Sequence, residues 1–279
     1  MAQKITSLDC ETGRVKAKIT VVTTGLTRPM AEMESTVLDV EDAPPASRRG
    51  RRRLSLDHLP LTPTVPAVGQ TLQDAVYQQL RSALMVGAFR PGESLSVPAI
   101  AASLGTSGAP VKDALRRLVA EGAFHVLPQS SYVVETLTAS RFLDLTEARI
   151  RLETLAATRT AELAPRSLIR TLTALNERYR RPPSTIAVRG NLLQANYDFH
   201  FAIYGASQMP DVCEIILSAW LRTGPLFSLI ETDLDPEDDY QRHAAIIKAI
   251  AAKDPAQTAI ALEADIRKTA IRIAPHLPA

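Results

Sequence analysis

Cysteine is scarce in this chain, with only Cys10 and Cys213 among 279 residues. A disulfide framework or a thiolate metal cluster needs more cysteines at closer spacing, so the sequence indicates neither kind of site. Long apolar runs are also missing: no uninterrupted stretch reaches the ~20 residues of a transmembrane helix, and the N-terminus lacks the basic start and apolar centre of a signal peptide. We therefore expect a cytoplasmic protein with no membrane partner.

Motifs of catalysis are absent as well. The sequence contains no Cys–His or Ser–His–Asp spacing, no glycine-rich phosphate loop and no convincing general-base pair. We therefore expect that the chain is not an enzyme, with a metal-dependent enzyme as the less favoured alternative. A length of 279 residues with 46% hydrophobic content is sufficient for two separate cores.

Residues 1–69 differ in character from the rest of the chain. They mix polar and charged residues without sustained periodicity, and they contain an arginine-rich run at Arg48–Arg53. We interpret this segment as a mostly disordered basic extension. The arginines could form an arm that follows DNA phosphates or enters a minor groove. The alternatives are a solvated linker, or sequence ahead of a true start at Met30 or Met33.

Residues 70–136 have the pattern of three helices and a two-stranded wing. The first helix should end near residue 86, because two glycines and a proline follow it in Gly87–Gly92. A short second helix is predicted from about Pro98 to Leu104 and a third from Ser107 to Gly122, with strands on both sides of residues 128–131. A helix, a tight turn and a helix with outward cations form a helix-turn-helix.

The outward side of the third helix carries the candidate DNA contacts. The residues predicted to bind a double-stranded operator are Ser107, Lys112, Arg116 and Arg117 on this helix and Ser130 in the wing. The alternative is an ordinary three-helix core whose cations form a solvated face. The ordered corners and the wing favour DNA binding.

The same segment resembles the winged helix-turn-helix of GntR-type bacterial transcription regulators. The similarity is carried by Gly87, Pro91-Gly92, Leu95-Ser96, Leu104-Gly105, Ser107, Pro110-Val111, Ala114–Leu118 and Glu121-Gly122. The resemblance implies DNA contacts from arginines at the positions of Pro98, Gly108 and Lys112, of which only Lys112 is a cation here. The loss of two of these arginines leaves three alternatives open: a changed operator, weaker DNA binding, or a ligand-binding dimer without operator recognition.

Residues 137–279 are predicted to be helical throughout. The breaks lie at prolines, and the expected helices cover about 139–164, 166–180, 187–206, 210–229, 237–253 and 255–274. Six amphipathic helices with short connections form an antiparallel bundle, whose interior can hold a ligand or a metal. The predicted fold class is therefore mostly α: an N-terminal winged helix-turn-helix followed by an all-α antiparallel helical-bundle effector domain.

Four polar residues of this half lie among apolar neighbours. Asn196 and His200 are four residues apart on one helix face, whereas His243 and Asp265 lie on the last two helices. Two imidazoles, a carboxylate and an amide oxygen can bind a divalent zinc, nickel, manganese or iron ion. The alternative is that each histidine is a hydrogen-bonded core residue.

This half resembles the FCD subgroup of GntR regulators. The similarity is carried by Glu147–Glu153, Asn196–His200, His243–Ile250 and Asp265-Ile266. The resemblance implies a metal on Asn196, His200, His243 and Asp265, with Asp265 where the subgroup commonly has histidine. It also implies that Arg149, and less strongly Arg222, binds a small carboxylate effector; the alternative for Arg149 is an ion pair with Glu153. A homodimeric repressor is the expected form.

Overall fold

The computed structural model describes residues 3–11, 14–21, 61–127, 131–180, 187–233 and 235–279. Residues 1–52 and 53–279 are two separate units. In the first unit, strand β1 (Gln3–Glu11) pairs antiparallel with strand β2 (Arg14–Val21). The interpretation of residues 1–69 as a mostly disordered extension did not include these strands, although apolar and polar residues alternate in the sequence of β2, which favours a strand. The Arg48–Arg53 run lies outside the described residues.

The second unit begins with residues that pack on the winged domain. The backbone N–H of Thr64 donates to the carbonyl of Leu104 at 2.9 Å, and the side-chain amide of Gln79 donates to the Thr64 hydroxyl at 3.0 Å. Residues 61–64 are therefore held against the helices that follow, although the sequence interpretation assigned them to the disordered extension.

The winged domain contains three helices and a three-stranded sheet. Its elements are α1 (Leu72–Met85), β3 (Ser94–Leu95), α2 (Val97–Ser103), α3 (Gly108–Ala120), β4 (Phe124–Leu127) and β5 (Ser131–Val134). The strand order is β3-β5-β4, with all neighbours antiparallel. The two-residue strand β3 adds to the predicted two-stranded wing and connects the wing to the helical core.

Local sequence signals explain where these helices begin and end. Thr71 and Ser96 cap α1 and α2 by accepting hydrogen bonds from backbone N–H groups of the first turn. Gly87 has φ +68°, a left-handed conformation that stops α1 and that other residues rarely adopt. Behind the helices, Phe89 and Phe124 meet edge to face with ring centroids 6.0 Å apart, which joins the core to the wing.

The second half is the predicted helical domain. Its helices are α4 (Ala139–Leu163), α5 (Arg166–Arg180), α6 (Ala187–Gly205), α7 (Pro210–Thr223), α8 (Pro236–Ala251) and α9 (Pro255–Ile273). One boundary differs: α7 ends at Thr223, and a 3-10 segment (Gly224–Asp233) follows where the sequence predicted continued helix. Pro225 has no N–H for an α-helical bond, so a change of hydrogen-bonding pattern at this point is reasonable.

Pro210–Ile230 has the length and composition of a membrane-spanning segment, with mean hydropathy 1.3. The sequence analysis had recognised no such run. The segment is 56% buried, and Trp220, Leu221 and Leu226 within it are almost fully enclosed. We therefore interpret it as the core of the helical domain.

The two domains meet where α1 ends against α7 and the 3-10 segment. A Cβ atom on Gly224 would lie 2.4 Å from the carbonyl oxygen of Leu84 and 2.8 Å from the Cα of Met85. A Cβ atom on Gly87 would lie 3.3 Å from the Cβ of Phe227. The winged domain therefore rests directly on the segment that contains Gly224 and Phe227.

Candidate functional site

The exposed face of α3 carries three of the predicted DNA contacts. Ser107 precedes α3 as its N-cap residue, is exposed, and makes no capping hydrogen bond within the described chain. Lys112 and Arg116 are exposed one helical turn apart, and Arg116 pairs with Asp113 at 3.3 Å. A free hydroxyl at a helix N-terminus and two outward cations are suited to phosphate oxygens and base edges.

Arg117 is exposed, as helical spacing predicted, but its side chain also contacts α1. Its guanidinium carbon lies 3.7 Å from the centroid of the Tyr77 ring, and its Nε lies 3.3 Å from Glu121. A further contact of 3.8 Å joins it to Asp74. Arg117 therefore turns back onto α1, where a cation–π contact and two carboxylates hold it. The remaining predicted contact, Ser130, lies outside the described residues.

Three of the four candidate metal ligands come together in the helical domain. His200 on α6, His243 on α8 and Asp265 on α9 each offer a ligand atom, and these atoms lie within 4.8 Å of one another. All three residues are buried. Asn196, one turn before His200, lines the two cavities beside this cluster.

The chemistry of the cluster suits a cation. Burial lowers the pKa of His243 to about 3, so this imidazole is neutral and able to act as a ligand. Its Nδ1 atom is buried and has no hydrogen-bond partner among the described residues. Burial would raise the pKa of Asp265, but the bond from His200 and nearby positive charge hold it below its ordinary value. A neutral imidazole with an unused nitrogen beside an ionised carboxylate fits a divalent ion.

Asp265 has a second partner that the sequence analysis missed. Its Oδ1 accepts a hydrogen bond from Nε of Arg242 at 3.0 Å, while its Oδ2 lies 3.2 Å from Nε2 of His200. Arg242 also pairs with Asp238 and Asp239 in the first turn of its own helix. The spacing of Arg242 from these two aspartates was visible in the sequence, but its contact with Asp265, 23 residues away, was not.

Arg149 is buried and forms the ion pair that was its alternative role. Its Nε donates to Oε1 of Glu153 at 2.6 Å, and the Trp220 indole N–H donates to the same oxygen at 2.9 Å. Among the described residues, a long contact of 3.4 Å to the Thr223 hydroxyl is the hydrogen bond that its Nη1 makes. This Nη1 end is the part of the guanidinium that retains capacity for a ligand.

Arg222, the weaker effector candidate, lies away from these cavities. A Cβ atom on Gly122 would meet its Cδ and Nε at 3.7 Å. Arg222 thus packs beside the end of α3 and is not among the residues that line either cavity beside the metal cluster. The structure does not bring it to Arg149.

The two cavities beside the cluster are small. Each has a volume of about 20 Å³, and they share Asn196, Phe227, Asp265 and Thr269 in their walls. One contains the side chains of Arg149 and His200, and the other those of Arg242 and Arg272. Such volumes hold about one water molecule or one ion each. An organic ligand would therefore have to separate the walls.

Comparison with known proteins gives a match for both domains. The family model of bacterial regulatory proteins, gntR family, matches residues 72–134, and the FCD domain model matches residues 144–268. These ranges coincide with the winged domain and with most of the helical domain. The predicted fold class is confirmed.

Individual relatives agree with the domain matches. The HTH-type transcriptional regulator McbR of Escherichia coli (strain K12) is 30% identical over 200 residues, which are 70% of this chain and 89% of McbR. The structure of E. coli McbR/YncC has a TM-score of 0.67 at 27% identity, covering 74% of this chain and 98% of that one. A putative transcriptional regulator GntR from Rhodococcus sp. RHA1 shares the fold, with a TM-score of 0.59 at 23% identity over 73% of this chain and 97% of that chain.

Proposed function

The chain belongs to the GntR family of bacterial transcription regulators, in the group with an FCD domain, and on this basis we propose an effector-controlled repressor that acts as a cytoplasmic homodimer. Because its domains and relatives are those of transcription regulators, the prediction that it is not an enzyme is confirmed. Two winged domains of a symmetric dimer would read an operator with matching two-fold symmetry.

DNA is bound through the exposed face of α3. Lys112 and Arg116 contact the major groove, and the Ser107 hydroxyl with the N-terminus of α3 contacts a phosphate. The observation that supports this assignment is that all three residues are exposed, with Lys112 and Arg116 one turn apart on α3 and Ser107 at its N-terminus. Arg117 contributes less, since Tyr77 and Glu121 already hold it.

The effector is a small carboxylate that binds beside a divalent metal in the helical domain. His200, His243 and Asp265 hold the ion, and Asn196 lies beside them as a further oxygen donor. When bound, the ion supplies a Lewis-acidic point for a carboxylate oxygen. The Nη1 end of Arg149 faces Thr223 near the same cavity and grips the other end of the carboxylate.

The single observation that best supports effector control is that one chain segment, Gly224–Phe227, both lines the cavities and contacts the winged domain. Phe227 lines both small cavities, and it lies in the segment where Gly224 touches Leu84 of α1. Because about 20 Å³ cannot hold an organic acid, effector entry must move this wall. An effector that binds more tightly when this wall has moved favours that state. The winged domain is then displaced and the operator is released.

Variants of the metal ligands test the proposal. We expect His200→Ala with His243→Ala to abolish zinc-linked thermal stabilisation and the response of operator binding to carboxylates, while the metal-free protein stays folded and dimeric. His276→Ala is the matched control, because His276 is exposed and lines neither cavity. A double variant that binds zinc with wild-type stoichiometry would show that the ion lies elsewhere.

The second candidate function is a ligand-binding dimer that no longer recognises a specific operator. Pro98 is exposed in the first turn of α2 and Gly108 begins α3, so neither position supplies a cation to the DNA-facing side. Asp113 adds a carboxylate to that side, 3.3 Å from Arg116. Equal affinity for random and genomic DNA would favour this candidate.

A further inference from the structure

We infer that Tyr204 and Glu153 are positioning residues for the metal site, because they fix which nitrogen of His200 is free to bind an ion. This inference rests on the metal site of the proposed function. Neither residue belongs to the ligand set, and both are completely buried. Their role follows from counting the protons available in one chain of hydrogen bonds.

Glu153 is the hydrogen-bond acceptor at the start of this chain. Its Oε1 accepts from Nε of Arg149 at 2.6 Å and from the Trp220 indole at 2.9 Å. Its Oε2 accepts from Nη2 of Arg149 at 3.4 Å. A carboxylate that faces a guanidinium and an indole N–H has only acceptor capacity left. The partner of its Oε2 must therefore supply the proton.

That partner is the hydroxyl of Tyr204. The phenol of Tyr204 carries its single proton, because tyrosine is ordinarily protonated at neutral pH and this hydroxyl faces a carboxylate oxygen. This proton is donated to Oε2 of Glu153 in a short hydrogen bond. The hydroxyl oxygen also lies 3.2 Å from Nδ1 of His200. With its proton already committed, Tyr204 can only accept in this second bond.

His200 must then carry a proton on Nδ1. Its other nitrogen, Nε2, lies 3.2 Å from Oδ2 of Asp265, whose carboxylate is also an acceptor. In the metal-free protein a proton on Nε2 can be donated to this carboxylate, and a cation bound by both atoms would replace that proton. His243, whose Nδ1 has no hydrogen-bond partner in the described part of the chain, lies in the same cluster. Metal-binding histidines generally donate their second N–H to a fixed acceptor, which orients the ring.

The geometry also shows why a tyrosine is needed here. Tyr204 follows His200 by four residues on α6, so its ring lies on the same helix face. Glu153 approaches from α4 and Arg149 is one turn before it. A phenylalanine at 204 would fill the same space but would leave Nδ1 of His200 without an acceptor.

The test is Tyr204→Phe, with zinc alone as the probe. We expect the zinc dissociation constant to rise by about 10–100-fold, the usual effect of losing a second partner of a metal ligand. Tyr197→Phe is the matched control: it makes the same chemical change on the same helix, but Tyr197 is outside the hydrogen-bonded chain, so we expect wild-type affinity. In a His200→Ala background, Tyr204→Phe should have no further effect on zinc affinity, because the nitrogen that it positions is gone.

The outcomes separate the inference from the metal site on which it rests. If the wild-type protein binds no zinc, the metal site fails and the inference fails with it. If wild type and Tyr204→Phe bind zinc equally, only the inference fails. Ring nitrogen-15 NMR of the zinc-loaded wild type gives an answer even if the variant does not fold: we expect zinc on Nε2 of His200 and a proton on Nδ1, and zinc on Nδ1 would overturn the inference.

Discussion

Replacing Gly224 with alanine should push the winged domain away from the helical domain. The added Cβ would lie 2.4 Å from the Leu84 carbonyl oxygen, whereas real Cβ atoms essentially never approach within 3.0 Å. The backbone must therefore retreat by at least about 0.6 Å at this point, since no rotamer change moves a carbonyl of α1. Gly224 has φ −52°, so the cost comes from this contact and not from backbone strain.

The expected cost follows from the rigidity of both neighbours. Forcing one additional methyl group into a packed contact typically costs about 1–3 kcal/mol. For a chain of 279 residues that loss corresponds to a decrease in Tm of roughly 2–5 °C. Because the same shift displaces α1, and with it α3, the affinity for the operator should also decrease.

Thermal unfolding and DNA titration measure the two effects. Gly205→Ala is the control, because a Cβ at Gly205 meets nothing within 4 Å among the described residues. We expect no loss of stability or DNA affinity in that variant. If Gly224→Ala also retains the wild-type Tm and operator affinity, the contact between Gly224 and α1 does not join the domains as described.

Two further predictions concern DNA and pH. Lys112→Ala with Arg116→Ala should weaken operator binding and lower the slope of log K against log salt by about 2 per subunit. Arg117→Ala should change this slope less. Equal slopes for all variants would contradict the assignment of DNA binding to the exposed face of α3. Burial lowers the pKa of His243 from an ordinary 6.5 to about 3 in the folded protein. As the pH falls below 6.5, His243 is therefore protonated in the unfolded chain before it is protonated in the folded one. The metal-free protein should lose up to about 1.4 kcal/mol of unfolding free energy per pH unit in this range. In denaturant titrations at falling pH, wild type should lose more unfolding free energy than His243→Gln. Burial raises the pKa of Asp239 to about 6, so protonation of Asp239 stabilises the folded state as the pH falls. This opposite effect is present in both proteins and cancels in the comparison.

Much of the fold could be predicted because local signals mark the element boundaries. Pro210, Pro236 and Pro255 stand at the first positions of their helices, as a residue without an N–H prefers. Strand β3 could not be predicted in this way, because a strand of two residues is too short to show an alternating pattern. It forms only because the fold places β5 next to it. The hairpin over β1 and β2 carried a signal in its alternation, which the polar composition of the surrounding segment obscured.

The site was predictable only where helix faces decide which residues meet. The spacing of Asn196 and His200, and the apolar neighbours of His243 and Asp265, indicated a shared interior. The contact between Arg242 and Asp265 depends on how two helices cross, which sequence spacing does not encode. The contact of Arg117 with Tyr77 was missed for a similar reason: its long side chain reaches back over α1.

Enrichment of sheared genomic DNA by the purified protein, at about physiological salt, tests the central claim most directly, because nonspecific phosphate binding is suppressed under these conditions. If the protein is an operator-reading regulator, fragments that share an inverted repeat should be enriched, and the adjacent genes should indicate the class of effector. A set of fragments with no common sequence, bound no better than random DNA, would contradict the claim.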